Sequence, residues 1–361
     1  MPNEFFRVDG DMDKVKWGVI GAGGIAQRRT IPEVIEFGKK SEIIAVESRT
    51  KETAEKCAKK FNVNYWYTDV KDLLSNREVE AVYIATPNYL HYEQVIMAAR
   101  ARKHVLCEKP LGINVKECED MIRECKRNNV KLGVGFMMRF HGLHQKIKKI
   151  ISDGVIGRPV LARAQLTCWY PKIEGAWRQN PKLSGGGSLI DMGSHCIDLL
   201  EALLSTKVKE VFSFQDTLVH KYPVEDSSVV LLRFDNGAIG VVDNYFNIPD
   251  RASRNVLEIY GTRGSVLIEG SIGQEPTGRG FLYYYPQEEY ESKQERIVEE
   301  FKPQKIEYDV VRMYAAEVDH LSQSILDNTE PEISGELGLW NMKIISACYE
   351  SAKLKKAIEI L

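Results

Sequence analysis

Two features of this chain could do chemistry on a hydroxyl: a cation, Lys109, and a carboxylate and imidazole four apart, Asp191 and His195. Lys109 stands in Cys107-Glu108-Lys109-Pro110, where Pro110 forces the residue before it into an extended conformation. The apolar run His104-Val105-Leu106 just ahead reads as a buried parallel strand. A cation is therefore held at a strand's carboxyl end, the rim where open α/β sheets bind ligands. Asp191 and His195 follow the glycines Gly185, Gly186 and Gly187, which let backbone come close to a ligand or to another backbone. Leu189, Met192, Cys196, Leu199 and Leu203 make an apolar helical stripe, on which Asp191 and His195, four apart, share one face; Asp198 stands three further on. A carboxylate beside an imidazole raises its basicity and orients it, and a histidine titrating near neutrality can take or give a hydroxyl proton. Singly, each residue has a bland alternative: a surface lysine before a turn, an aspartate capping a helix, a satisfied core histidine.

The elements that position such a group begin at Val15. Val15 to Ile20 reads as a strand, Gly21-Ala22-Gly23-Gly24-Ile25-Ala26 follows at once, and a helix runs through Pro32 towards Phe37. This is G-x-G-x-x-A between a strand and a helix: Gly21 permits the tight turn, Gly23 lets a pyrophosphate approach the backbone, and Ala26 lets helix and strand pack closely. The N–H groups around Gly24 and Ile25 then face the phosphates at the positive end of the helix. A second strand, Glu42 to Val46, ends in Glu47-Ser48-Arg49-Thr50. A hydroxyl and an arginine accommodate a ribose 2′-phosphate, so Ser48 and Arg49 favour NADP over NAD. Glu47 would repel that phosphate if it faced the pocket, and alternation sends Glu47 and Ser48 to opposite sides. A third strand, Ala81 to Ala85, ends in Thr86-Pro87-Asn88 at the same rim, where Thr86 and Asn88 can line the nicotinamide ribose. Glu108 and His91 complete the cofactor-side set, with His91 reading more simply as a capping or packing residue.

Helices at Thr53 to Phe61, Val70 to Leu74 and, capped by Asn114, up to Asn128, with a last strand in Lys131 to Gly135, complete a doubly wound parallel sheet. A boundary near Arg139 separates residues 14–138 from residues 139–361. After a helix from Leu143 to Ser152, strands dominate: Arg158 to Trp169, Val208 to Val219, Ser227 to Phe234, Ala238 to Tyr245 after an Asp235-Asn236-Gly237 turn, Val256 to Tyr260, Ser265 to Glu269 and Phe281 to Tyr285. They predict a mainly antiparallel sheet in an α+β domain. Met1 to Asp13 reads as a loose tail, Gln287 to Lys305 as a charged surface loop, and Val310 to Asn328 and Glu336 to Leu361 as helices that cover the sheet or return to the first domain.

A length of 361 residues exceeds what one core usually organises, and 49 Lys and Arg against 51 Asp and Glu leave a net charge of −2, which gives no nucleic-acid or membrane-surface footprint. Seven cysteines, an odd number with no C-x-x-C pair and no secretory signal, predict a reduced, cytoplasmic protein. No run approaches the roughly 18 apolar residues of a membrane span. His141 and His144 lack an acidic partner at helical spacing, so no metal is expected.

In combination, Gly21-x-Gly23-x-x-Ala26, Thr86-Pro87-Asn88, Glu108-Lys109-Pro110, the three glycines with Asp191-x-Gly193-x-His195, and Tyr260-Gly261-Thr262-Arg263-Gly264 resemble the glucose-fructose oxidoreductase, inositol dehydrogenase and MocA-like family. The resemblance implies a Rossmann domain followed by an open-faced α/β domain, through whose sheet members form dimers or tetramers. It implies a Lys109, Asp191 and His195 triad: His195 as general acid or base, Asp191 orienting it, and Lys109 polarising the same substrate oxygen. The implied substrate is a sugar, cyclitol or sugar derivative, with Arg139, Arg163, Trp169, Tyr170, Trp177 and Arg178 as candidates for the pocket wall, since polyols stack on aromatic faces and bond to planar donors. Relatives that cleave glycosides through transient oxidation by bound NAD, and relatives that act as cofactor-sensing regulators, define the alternative functions.

Overall fold

The computed structural model describes residues 14–284 and 302–361. The tail Met1 to Asp13 and most of the charged stretch from Gln287 lie outside the described residues.

The first half alternates strand and helix: β1 (Val15–Ile20), α1 (Ile31–Phe37), β2 (Ser41–Glu47), α2 (Lys51–Phe61), β3 (Tyr65–Tyr67), α3 (Val70–Ser75), β4 (Ala81–Ile84), α4 (Asn88–Arg100), β5 (His104–Glu108), α5 (Val115–Arg127) and β6 (Leu132–Gly135). The six strands pair in parallel in the order β3-β2-β1-β4-β5-β6. Continuous apolar runs such as Ala81–Ile84, buried throughout, suit strands covered on both faces. The order reverses between β1 and β4, and a crevice opens beyond the carboxyl ends of strands at such a switch point. One detail departs from expectation. The helix after the glycines includes a π-helical turn, Ala26–Thr30, that runs directly into α1, where Pro32 supplies no N–H to the continuous helix.

A 3₁₀ turn, Met137–Phe140, and α6 (Gly142–Ser152) lead to β7 (Pro159–Thr167), α7 (Pro181–Ser184), α8 (Ser194–Leu204), β8 (Val208–Asp216), β9 (Ser227–Phe234), β10 (Ile239–Tyr245), β11 (Val256–Gly261), β12 (Gly264–Glu269), β13 (Arg279–Tyr284) and β14 (Gln304–Lys305). The chain ends with α9 (Met313–Leu326), α10 (Gly335–Leu354) and β15 (Ile358–Glu359). Nine strands form one sheet in the order β14-β13-β12-β11-β7-β10-β9-β8-β15, antiparallel except for β7 beside β10. The end of the expected charged loop, Gln304–Lys305, pairs with β13 as an edge strand. The final helix likewise stops at Leu354, and Ile358–Glu359 pairs with β8.

One face of this sheet packs on helices, as the full burial of Ala162 and Ala164 shows, while alternate residues such as Phe214 and Leu231 are exposed on the other. The last helices tie the halves together. α9 returns to the first sheet, where Ser322 Oγ accepts from Trp17 Nε1 at 2.9 Å and the Glu33 carboxylate accepts the Tyr314 N–H at 3.0 Å. α10 reaches α8, where Asn341 Nδ2 donates to Ser194 O at 3.0 Å and Trp340 Nε1 donates to Glu201 at 2.8 Å.

Candidate active site

The glycine turn is shaped from below. Gly21 has φ +82°, and a Cβ there would lie 2.6 Å from Thr86 Cγ2, so the turn is pressed against the end of β4. Glu47 accepts the Gly21 N–H at 3.1 Å and is turned inward, where burial raises its carboxyl above the ordinary range. Ser48 is part-exposed and Arg49 exposed. Above Gly23 and Gly24 a Cβ would meet nothing within 4 Å, and the π turn behind them, with Ile25 at its head and Ala26 buried, has no side-chain cap. Open space over uncapped N–H groups is what a dinucleotide pyrophosphate requires, so these residues fit the cofactor.

At the neighbouring strand ends, Pro87 precedes α4 and Thr86 Oγ1 donates to Gln94 at 2.5 Å. Two of the residues assigned to the cofactor bond to protein groups. His91 is fully buried with Nδ1 2.9 Å from Pro110 O and Nε2 3.0 Å from Thr86 O, so both ring nitrogens brace the loops and neither reaches a ligand. Asn88 is buried and donates to Ser184 O at 2.9 Å, tying α4 to the end of α7. Glu108 accepts from the Tyr83 hydroxyl at 2.5 Å, and burial raises its carboxyl.

The proton-handling residues do converge, with a different pairing from the expected one. Lys109 Nζ donates to Asp191 Oδ1 at 2.9 Å and to the Asp191 backbone oxygen. Arg178 Nε lies 3.6 Å from Asp191 Oδ2, and its guanidinium stacks 4.4 Å over the Trp177 ring. Burial alone would raise the Asp191 carboxyl, but Lys109 and Arg178 outweigh it and hold the group well below the usual carboxylate range. His195 is displaced downward from its ordinary value by burial and by the Lys109 charge, against Asp191, so its ring is neutral. His195 Nδ1 is buried with no hydrogen-bond partner, and Phe136 meets the ring edge-on at 6.2 Å. The carboxylate thus holds the lysine, not the imidazole. Asp191 lies within a π turn, Leu189–Gly193, directly ahead of α8, which carries His195.

Of the proposed wall, Tyr170, Trp177 and Arg178 are at the site, with Tyr170 and the unforeseen Cys168 both close enough to feel Arg178 and Asp191. The other three are elsewhere. Arg139 is buried in a pair with Asp198, Nη2 to Oδ1 2.8 Å, which ties the 3₁₀ turn to α8. Arg163, between buried Ala162 and Ala164, faces the opposite side of the sheet and donates to Asp243 at 3.1 Å. Trp169 follows the same alternation, is exposed, and meets His220 edge-on at 5.1 Å. His141 and His144 stack at 4.5 Å, and burial pushes them to about 4 and about 3.

Residues 15–136 match the family model described as an oxidoreductase family with an NAD-binding Rossmann fold, and residues 144–267 match the GFO/IDH/MocA C-terminal domain. The chain belongs to the GFO/IDH/MocA family. As a member it is an NAD(P)-dependent oxidoreductase. Over 346 residues it is 28% identical to 1,5-anhydro-D-fructose reductase of Ensifer adhaerens, covering 96% of this chain and 98% of that protein. It is 27% identical over 353 residues to myo-inositol 2-dehydrogenase of Thermotoga maritima (95% and 98% covered). D-xylose 1-dehydrogenase (NADP(+)) 2 of Haloferax volcanii is 27% identical over 344 residues (95% and 99% covered). The fold superposes on aldose-aldose oxidoreductase from Caulobacter crescentus, solved with glycerol, with a TM-score of 0.85 at 26% identity, covering 96% of this chain and 99% of that one.

The electrostatics of the site have a direct test. Lys109→Met removes a charge that lowers the His195 pKa and leaves Asp191, which raises it, so the imidazole of the variant titrates at higher pH than in the parent. Nitrogen-15 NMR of the imidazole across a pH series reads this; an unchanged or lower midpoint contradicts the assignment.

Proposed function

We propose that this enzyme transfers a hydride between the nicotinamide and a hydroxyl-bearing carbon of a sugar, cyclitol or sugar derivative, with His195 carrying the accompanying proton. The observation that carries this reading is the meeting of Lys109, Asp191, Arg178 and a neutral His195 beside the rim of the glycine turn. The names of full-length relatives, a reductase of an anhydro sugar and dehydrogenases of inositol and xylose, support the substrate class.

The bound cofactor supplies the hydride acceptor or donor. The chain supplies position and charge. With Nδ1 buried, His195 has Nε2 left for the substrate, and a neutral ring accepts the hydroxyl proton in oxidation and returns it in reduction. Lys109, pinned by Asp191, donates to the same oxygen and stabilises the negative charge that grows there as the proton leaves. Tyr170, Trp177 and Arg178 form the wall that orients the ring, Trp177 by its face and Arg178 by its planar donors.

NADP is the preferred cofactor in this reading, because Glu47 is occupied beneath Gly21 and leaves Ser48 and Arg49 at the rim for a 2′-phosphate. The exposed sheet face supports self-association as a homodimer or homotetramer: Phe212, Leu231 and Val241 stand in register across β8, β9 and β10, flanked by exposed Phe214 and Ile239. Seven free thiols, six of them buried, support a reducing, cytoplasmic setting. Among the described residues, no helix is long and apolar enough to cross a membrane.

In a panel of 1,5-anhydro-D-fructose, myo-inositol and D-xylose assayed by nicotinamide absorbance, at least one compound turns over, and Lys109→Ala and His195→Ala each lower kcat/KM by about 10²–10⁴. Hydrolysis of a glycoside without net reduction of added cofactor would replace the dehydrogenase reading. Arg49→Ala raises the KM for NADP about tenfold and leaves that for NAD unchanged; a parent enzyme that prefers NAD sinks the phosphate assignment. Light scattering of the parent gives two or four times the monomer mass, and Leu231→Glu lowers it; a monomeric parent removes the interface.

A further inference from the structure

The two glycines ahead of the Asp191 segment are demanded by neighbouring residues, Tyr349 and Glu225, that the proposed chemistry does not use. A Cβ at Gly186 would lie 1.8 Å from the Tyr349 hydroxyl oxygen, and one at Gly187 would lie 2.0 Å from the Glu225 backbone oxygen. The glycine run therefore admits neighbouring protein, not a ligand. The Glu225 carboxylate accepts the Gly187 N–H on both oxygens at 2.9 Å, the Leu189 N–H at 3.0 Å and the Tyr349 hydroxyl at 2.9 Å. Its backbone oxygen accepts the intervening Ser188 N–H at 3.0 Å.

Three successive N–H groups at the head of the catalytic helix thus end on one residue. Such groups have no partner within their own helix, and the positive end of the helix favours a carboxylate. No side chain within the segment does this work, since neither the π turn nor α8 has a side-chain cap of its own. Two residues further on, the Asp191 N–H closes back onto Gly187 O at 3.1 Å, so the position of Gly187 is passed directly to Asp191. Asp191 in turn holds Lys109.

We propose that Glu225, itself held by Tyr349 from α10, is a positioning residue that fixes the head of this helix so that Asp191 meets Lys109. The inference rests on the reading of Lys109, Asp191 and His195 as the reacting group. Glu225 touches none of the reacting atoms and acts through the backbone of Gly187 to Leu189.

Glu225→Gln keeps size but turns an NH₂ towards N–H donors, so at least one bond is lost and one contact becomes repulsive. Hydrogen exchange of the peptide spanning 185–195 then speeds up at least tenfold. With NADP and the panel sugar that the parent turns over, kcat falls at least tenfold, while NADP affinity, read by protein fluorescence, stays within twofold. Ser351→Ala, which removes the acceptor of the Ser213 N–H from the same helix at a distance from the site, lowers Tm but leaves kcat in place. Tyr349→Phe removes a single donor to the carboxylate and gives smaller changes in the same direction, which keeps the test decisive should Glu225→Gln fail to fold. The proposal is overturned if Glu225→Gln keeps the parental kcat, if Ser351→Ala loses kcat equally at equal Tm, or if Tyr349→Phe alters neither exchange nor kcat. A parent that turns over no panel sugar would fail the proposed substrate reading alone, because the exchange measurement needs no substrate.

Discussion

The contact between Lys109 Nζ and Asp191 joins the two sheets at the point where cofactor and substrate would meet. Lys109 follows β5 of the parallel sheet, while Asp191 precedes α8, which lies on the other sheet, 82 residues later. Both side chains are largely removed from water, and losing one partner of such a pair strands the other charge at a cost of about 3–5 kcal/mol. The halves are thereby held in one arrangement. His91 secures the lysine side by bracing Thr86 O and Pro110 O, and Asn88 secures the other by reaching Ser184 O.

The same contact determines the state of the histidine. A carboxylate hydrogen-bonded to His195 would have favoured the imidazolium. Here the carboxylate is neutralised by Lys109 and Arg178, so burial and the ammonium charge prevail and the ring stays neutral. One electrostatic arrangement therefore sets an ion-paired lysine beside a neutral imidazole.

Most of this was legible where function depends on backbone spacing over a few residues. Gly21 to Ala26, Thr86 to Asn88 and Glu108 to Pro110 each follow a strand that its apolar run identifies, and the stripe from Leu189 to Leu203 identifies the buried helix. What was not legible depends on partners remote in the chain. Arg139 reads as a pocket donor until Asp198, 59 residues on, claims it, and Arg163 does so until the strand's phase turns it to the other face. Glu225 stands in a loop with no pattern of its own, and its role comes from Gly187 and Tyr349, which lie 38 and 124 residues away. A π turn likewise leaves no mark in apolar spacing over so few residues, and the bond from Lys109 to Asp191 joins residues 82 apart.

That π turn links the local irregularity to the chemistry. Both helices that enter the crevice include one, Ala26–Thr30 after the glycine turn and Leu189–Gly193 after the glycine run. A π turn has weaker hydrogen-bond geometry than an α turn and persists where surrounding contacts demand it. At the first, Pro32 removes an N–H from the turn that follows. At the second, Glu225 fixes the head of the helix, and the pair with Lys109 fixes Asp191 within the turn. The irregular turn that carries Asp191 is thus held by partners remote in the chain.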